Sequence, residues 1–273
     1  MTAKPAKHNE AENVLRLVDT HCHLDDESFN GELDDVLDRA AAVGVTRWIN
    51  VGFNPGRWPA SIELATHYPG MSHMLGLHPG NADLWSPSVR DDLRTAIDSS
   101  RPVAVGEIGL DFYRGETNKS IQIEAFTEQL EIAREFGLPV AIHMRDSEQL
   151  MLEVLRSASA LPTILFHSFD GTEELTRWII ASGSYIGVGG LATRKKSADL
   201  RSHIARIPLD RIVLETDSPY LVPNGFKHRR NTPESIPVIA KSLADLFQRD
   251  VADIAQITTA NAERLFERLP DHD

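Results

Sequence analysis

Two histidines one residue apart, His21-Cys22-His23, are the first side chains in this sequence able to do chemistry together. In an extended segment, residues two apart face the same side, so both imidazoles project together and Cys22 turns away. Paired imidazoles suit a divalent transition metal. Taken alone the pair is weak evidence and reads more readily as two surface or core histidines. His78, Glu107, His143, His167 and Asp217 follow at wide intervals. Each lies at or just after the end of a short apolar run. If those runs are parallel strands of one barrel, five histidines and two carboxylates collect at the mouth where barrel enzymes place their active sites.

The runs that must position these residues are 15–20, 46–51, 72–77, 102–106, 140–143, 163–166, 185–188 and 212–215, apolar almost throughout as for strands covered on both faces. Amphipathic helical windows alternate with them at 33–43, 61–67, 90–98, 121–136, 148–157, 172–181 and 197–207. In the clearest window Ile123, Phe126, Leu130, Ala133 and Phe136 recur at three- and four-residue spacings. The window 233–247 reads as the helix of the eighth strand, and 251–269 as a further helix packed on the outside. Eight strand–helix units predict an α/β fold, a (β/α)8 TIM barrel with an additional C-terminal helix. An open doubly wound sheet is the alternative, but no G-x-G-x-x-G follows the first strand. Gly187-Val188-Gly189-Gly190 has neither that spacing nor a P-loop lysine, and reads as a tight turn. Residues 1–14 read as a flexible N-terminal arm and 15–273 as one barrel domain.

Composition narrows the classes. The 273 residues carry a formal net charge of -12, with 41% hydrophobic and 25% charged residues, an ordinary globular balance. That charge argues against coating duplex DNA through a broad basic surface. Cys22 is the single cysteine, which excludes a disulfide framework and a cysteine-only zinc site. Residues 1–14 lack the apolar stretch of a signal peptide, and no apolar run approaches the roughly 20 residues of a membrane span. A cytoplasmic protein without a membrane or obligate protein partner is the expectation.

Six segments resemble the TatD family of metal-dependent deoxyribonucleases, of the amidohydrolase-like barrel superfamily. They are Asp19-Thr20-His21-Cys22-His23-Leu24-Asp25, Gly76-Leu77-His78-Pro79, Gly106-Glu107-Ile108-Gly109-Leu110-Asp111, Ile142-His143-Met144-Arg145-Asp146, Phe166-His167-Ser168-Phe169 and Glu215-Thr216-Asp217-Ser218-Pro219-Tyr220. Arg230-Asn231-x-Pro233 and Asn261-x-x-Arg264-Leu265-Phe266 extend the resemblance over nearly the whole chain. Gly80 departs from the pattern, since family members often carry a second polar residue, commonly His, just after the Gly-x-His-Pro turn.

The resemblance implies two divalent metal ions, Mg, Mn or Zn: His21, His23 and Asp217 on the first, His143 and His167 on the second, and Glu107 between them. Such a pair activates water for hydrolysis and neutralises charge on an in-line phosphoryl transition state. Asp217 is the candidate general base. His78 would donate a proton to the leaving oxygen or bind the scissile phosphate. Asp19 is a candidate partner for a ligand imidazole, and Asp25 a loop cap. Arg114, Arg145, Tyr220, Arg229 and Arg230 are candidate substrate contacts, with Arg194-Lys195-Lys196 and Lys227-His228-Arg229-Arg230 as basic clusters in mouth loops. The implied substrate is DNA, single-stranded or with frayed ends, cut exonucleolytically. Alternatives are another ester, amide or phosphoester such as D-aminoacyl-tRNA, and a catalytically silent nucleic-acid-binding protein.

Overall fold

The computed structural model describes residues 15–113, 115 and 119–270; the arm 1–14 and Arg114 lie outside them. Eight strands pair in parallel, each with the next in the chain: β1 (Leu17–Cys22), β2 (Val45–Gly52), β3 (Met71–Leu75), β4 (Ala104–Asp111), β5 (Val140–Arg145), β6 (Ile164–Phe166), β7 (Tyr185–Val188) and β8 (Ile212–Leu214). The sheet closes just beyond β8, where Ser218 bridges Cys22 in parallel. There Asp217 N donates to His21 O, and His23 N to Ser218 O, each at 2.8 Å. The helices are α1 (Leu33–Ala42), α2 (Trp58–His67), α3 (Pro87–Ser100), α4 (Lys119–Glu135), α5 (Glu148–Ser157), α6 (Glu173–Ser182), α7 (Ala198–Ile204), α8 (Ile236–Phe247) and α9 (Val251–Leu265).

Side-chain parity divides the strands into two cores. Val18, Ile49, Met74, Ala104, Ala141, Leu165 and Val213 share one buried cluster. Their neighbours Leu17, Trp48, Leu75, Val105, Ile142, Phe166 and Leu214 belong to another, packed under the helices. The first is the barrel interior. Ala262, Leu265 and Phe266, from the end of α9, join it. The last helix therefore does not simply lie on the outside, as its sequence suggested. Its apolar end covers the barrel interior, because inward residues at one end of a closed sheet need a lid.

Two irregularities set the site. Asp19 pairs with Trp48 and Cys22 with Asn50, so β1 carries one extra residue against β2. Gly106 pairs with Ala141 and Ile108 with Ile142, so Glu107 is the extra residue of β4. A bulge reverses the alternation beyond it and re-aims side chains. In β1 this leaves Cys22 in the outer core and frees His21 and His23 for the interior side. In β4 it places Glu107 within the strand instead of after it.

At the other end, two polar side chains interrupt the strands. Arg47 of β2 is 2% exposed and bonds Glu263 Oε1 at 2.8 Å and Pro270 O at 3.0 Å. His73 of β3 meets Ser100 Oγ at 2.9 Å. Burial pushes the His73 imidazole down to about 4. A histidine whose folded value is depressed binds fewer protons folded than unfolded, so stability falls as pH drops from about 6.5 toward 4. Urea unfolding of wild type and His73→Gln is expected to show the wild type losing about 2 kcal/mol more between pH 7 and pH 5. Equal losses would remove His73 as the cause. Among the described residues no helix is long and apolar enough to cross a membrane.

Candidate metal centre

The strand ends bring His21, His23, Glu107, His143, His167 and Asp217 together. Parity accounts for most of them: Ala141 and Leu165 face inward, so His143 and His167, each two residues on, do too. His23 Nε2 lies 3.2 Å from Asp217 Oδ1, and His21 Nε2 lies 3.8 Å from the same oxygen. His143 Nδ1 and His167 Nε2 lie 2.7 and 2.6 Å from Glu107 Oε1. His21 Nε2 approaches the other oxygen of Glu107, Oε2, at 3.7 Å. Two donor sets thus form, His21–His23–Asp217 and Glu107–His143–His167, each with one ligand atom per residue inside a 4.8 Å span.

These residues fit bound metal cations. His21 is fully buried, and neither of its ring nitrogens has a hydrogen-bond partner. An unpartnered buried polar atom is costly, and a ligated ion satisfies it. The charges agree. Burial would raise Glu107, yet His167, His78 and His143 hold it well below the usual carboxylate range. Burial would lower His143 and His167, yet Glu107 raises both. The carboxylates draw positive charge onto these imidazoles, a charge that bound cations would supply.

Asp217 sits at φ +57, a left-handed conformation uncommon outside glycine, fixed by its hydrogen bond to His21 O and by Tyr220 N donating back to Asp217 O at 2.8 Å. Burial pushes its carboxyl up, but the hydrogen bond and charge of His23 outweigh this and hold it down. His78 lies beside this group, with Nε2 at 3.8 Å from Glu107 Oε1. Its Nδ1 accepts the N–H of Gly80 at 2.9 Å. Gly80 permits that approach, since a Cβ there would lie 2.9 Å from the same nitrogen. Burial depresses His78 to about 4.

Asp19 has a different role from the one its position suggested. Its oxygens accept Thr216 N at 2.9 Å and Thr216 Oγ at 2.6 Å, so it ties β1 to the segment after β8. Burial raises it to about 7 in spite of those bonds. The imidazole partner is Asp111, whose Oδ2 lies 2.9 Å from His143 Nε2. Gln122 of α4 holds Asp111 by both backbone groups, at 2.9 and 3.1 Å. Asp111 belongs to the inward parity beyond the β4 bulge. Glu215 does too, two residues after inward Val213 on β8. For Glu215 that parity is a signal the sequence carries; for Asp111 the bulge hides it. Asp25 pairs with Arg57 at 3.1 Å, and its neighbour Asp26 caps the turn Glu27–Phe29.

A cavity of about 610 Å³ opens above the centre, lined by His23, Phe53, His78, Glu107, His143, Met144, Arg145, His167, Ser168, Asp170, Leu191, Arg194, Asp217, Tyr220 and Leu221. Arg145 and Tyr220 are on it, as is Arg194 of the first basic cluster. The Arg145 guanidinium lies 3.5 Å over the centre of the exposed Tyr113 ring. Phe53, which the sequence did not single out, packs edge-on to His23 at 5.5 Å. The second basic cluster is engaged elsewhere. Arg230 bonds Ser28 O and, at 2.6 Å, Glu32, and covers the Phe29 ring. Lys227 and His228 face Glu234 at 3.0 and 3.6 Å. Arg230 thereby anchors its loop and does not line the cavity. Arg229 is exposed and is not on the cavity lining.

Known proteins resemble this chain over nearly its whole length. Residues 18–267 match the family described as TatD related DNase. The chain is 34% identical over 252 residues to the uncharacterized metal-dependent hydrolase YabD of Bacillus subtilis, covering 92% of this chain and 98% of that protein. It is 35% identical over 256 residues to the 3'-5' ssDNA/RNA exonuclease TatD of Cronobacter sakazakii, covering 92% and 97%. The crystal structure of YJJV, a TatD homolog from Escherichia coli K12, superposes with a TM-score of 0.87 at 33% identity, over 93% of this chain and 99% of that one. With its eight-stranded barrel, its histidine–carboxylate centre and a family match over nearly its whole length, this chain belongs to the TatD-related DNase family and is a metal-dependent hydrolase of the TatD type.

Proposed function

We propose that this protein hydrolyses nucleic-acid phosphodiester bonds, DNA foremost, from single-stranded or frayed ends, using two divalent metal ions. The observation that carries the reading is Glu107, one buried carboxylate within 4 Å of His21 in one donor set and of His143 and His167 in the other. His21, His23 and Asp217 would hold the first ion, His143 and His167 the second, and Glu107 both. Mg, Mn and Zn all remain candidates. Relatives named as single-strand exonucleases support the substrate class and an end-directed mode.

When bound, the ions supply Lewis-acid polarisation of the phosphoryl group and lower the pKa of the attacking water. Asp217, ionised and at the cavity wall, accepts the proton of that water. His78 acts as a hydrogen-bond donor. A backbone N–H can only donate, so His78 Nδ1 is an acceptor, and the neutral ring carries its proton on Nε2, toward the cavity. Its low pKa keeps it neutral, so it holds a phosphoryl oxygen and does not protonate the leaving group. Arg145 and Arg194 offer charge to flanking phosphates, and Tyr220, 54% exposed, offers a face to a base. The cavity is recessed at the barrel mouth, which suits an entering strand end better than an intact duplex. A cytoplasmic setting belongs to this reading, supported by the lone, buried Cys22.

End-labelled single- and double-stranded DNA, incubated with Mg, Mn or Zn beside an Asp217→Asn control, tests the proposal. Stepwise shortening of the single strand is expected, with the blunt duplex cut at least about tenfold more slowly. Intact DNA and RNA in every metal, with turnover of a carboxylic ester instead, would sink it.

A further inference from the structure

One carboxylate beneath the centre has no part in the steps above. Glu215 has no exposed surface. Its Oε1 accepts the backbone N–H of Ser168 and lies 3.7 Å from His167 Nδ1. Its Oε2 has no hydrogen-bond partner. Facing it, His167 Nδ1 and both ring nitrogens of His21 are also buried without partners. His21, His167 and Glu215 each place one ligand atom within 4.8 Å of the others. The two rings stack with centroids 3.9 Å apart and planes at 12°. In both, Nε2 is the nitrogen that meets the carboxylates of the centre, Glu107 for His167 and both Glu107 and Asp217 for His21. A neutral imidazole that gives one nitrogen to a cation carries its proton on the other, and a buried N–H needs an acceptor.

The surrounding backbone makes room for that acceptor. A Cβ at Gly187 would lie 2.0 Å from Glu215 Oε2 and 2.4 Å from its Cδ, so a side chain at 187 would push this carboxylate from its place. Gly187 of β7 thus reads as a berth for Glu215 and not merely as part of a turn. Ser168 takes φ +46, uncommon for a residue with a Cβ, and turns its N–H onto Oε1. His143 already has a carboxylate on its outer nitrogen, Asp111.

We propose that Glu215 is a positioning residue for one histidine of each ion site, His21 and His167, and that Gly187 is the residue that admits it. The inference rests on the two-ion reading above and is independent of which ester is cleaved.

Zn²⁺ binding to the full chain, measured by competition with a chromophoric chelator, tests it. Wild type is compared with Glu215→Gln, Gly187→Ala, Glu215→Ala and the double variant Gly187→Ala/Glu215→Ala. Expected are two tight equivalents in the wild type, with both affinities weakened about 10–100-fold in Glu215→Gln. Gly187→Ala is expected to weaken them similarly in the wild-type background and by less than about twofold once Glu215 is Ala, since the clash is then gone. The metal-free variants should keep the wild-type circular dichroism and a cooperative melt. Unchanged zinc affinities with only a lowered melting temperature would make Glu215 structural and overturn the inference. Unfolding of both single variants before metal is added would do the same. So would a third tight equivalent in the wild type, lost in Glu215→Gln, which would mark a buried third cation. A wild type that binds a single equivalent fails the two-ion reading itself, which separates the two failures.

Discussion

Asp217→Asn is expected to lower the rate of single-stranded DNA hydrolysis on the order of 10³-fold or more, at saturating metal, with a melting temperature within a few degrees of wild type. General-base catalysis contributes about 10²–10⁴-fold, and here the same carboxylate is also a candidate ligand. Its Oδ1 is 3.2 Å from His23 Nε2 and 3.8 Å from His21 Nε2. Asparagine has the same shape and is among the few residues that tolerate the left-handed φ of +57. The turn that closes β8 onto β1 therefore survives, and the loss reports charge and basicity. Steady-state cleavage of an end-labelled oligonucleotide, with circular dichroism on the same preparation, decides the matter. Undiminished activity in a contamination-free sample would remove Asp217 from the mechanism.

Glu107→Gln is the second large effect. It is expected to reduce tightly bound zinc from two equivalents to one or none, and to abolish turnover in a way that excess metal does not restore. Glu107 is 4% exposed and approaches His21, His78, His143 and His167 at 3.7, 3.8, 2.7 and 2.6 Å. Glutamine fits the β4 bulge but brings no charge, so the largest pull that raises His143 and His167 goes with it, leaving those of Asp111 and Glu215. Breaking a buried charge cluster from one side usually costs about 3–5 kcal/mol. The cost is smaller here if the imidazoles simply release their protons, so the metal-free variant should still fold. Equilibrium dialysis against Zn²⁺ reads the stoichiometry; two retained equivalents would show that the carboxylate does not join the donor sets.

The charge of -12 takes its meaning from placement. Acidic side chains pair with three members of the second basic cluster, Glu32 with Arg230 and Glu234 with Lys227 and His228. Arg145 and Arg194 remain on the cavity. A molecule repelled from duplex DNA over most of its surface can still focus attraction at one mouth.

Much of this protein is written locally. Strand–helix alternation was legible because a strand buried on both faces must be apolar throughout, and a helix on its outside must be apolar on one side. The residues of the centre were legible because the barrel puts all strand ends at one mouth, so His78, His143 and His167 needed only their order along the chain. Three things were decided by tertiary structure. Single-residue bulges in β1 and β4 aim His21, His23 and Glu107, and a bulge depends on the register of a neighbouring strand, which no local pattern encodes. Asp19, Asp111, Glu215 and Arg230 received their partners from segments 197, 32, 47 and 198 residues away. Barrel closure sets the two longest of those separations, and the order of strands within the sheet the other two. The end of α9 covers the barrel interior, because a closed sheet leaves apolar inward residues at its end and only a packed helix end removes them from water.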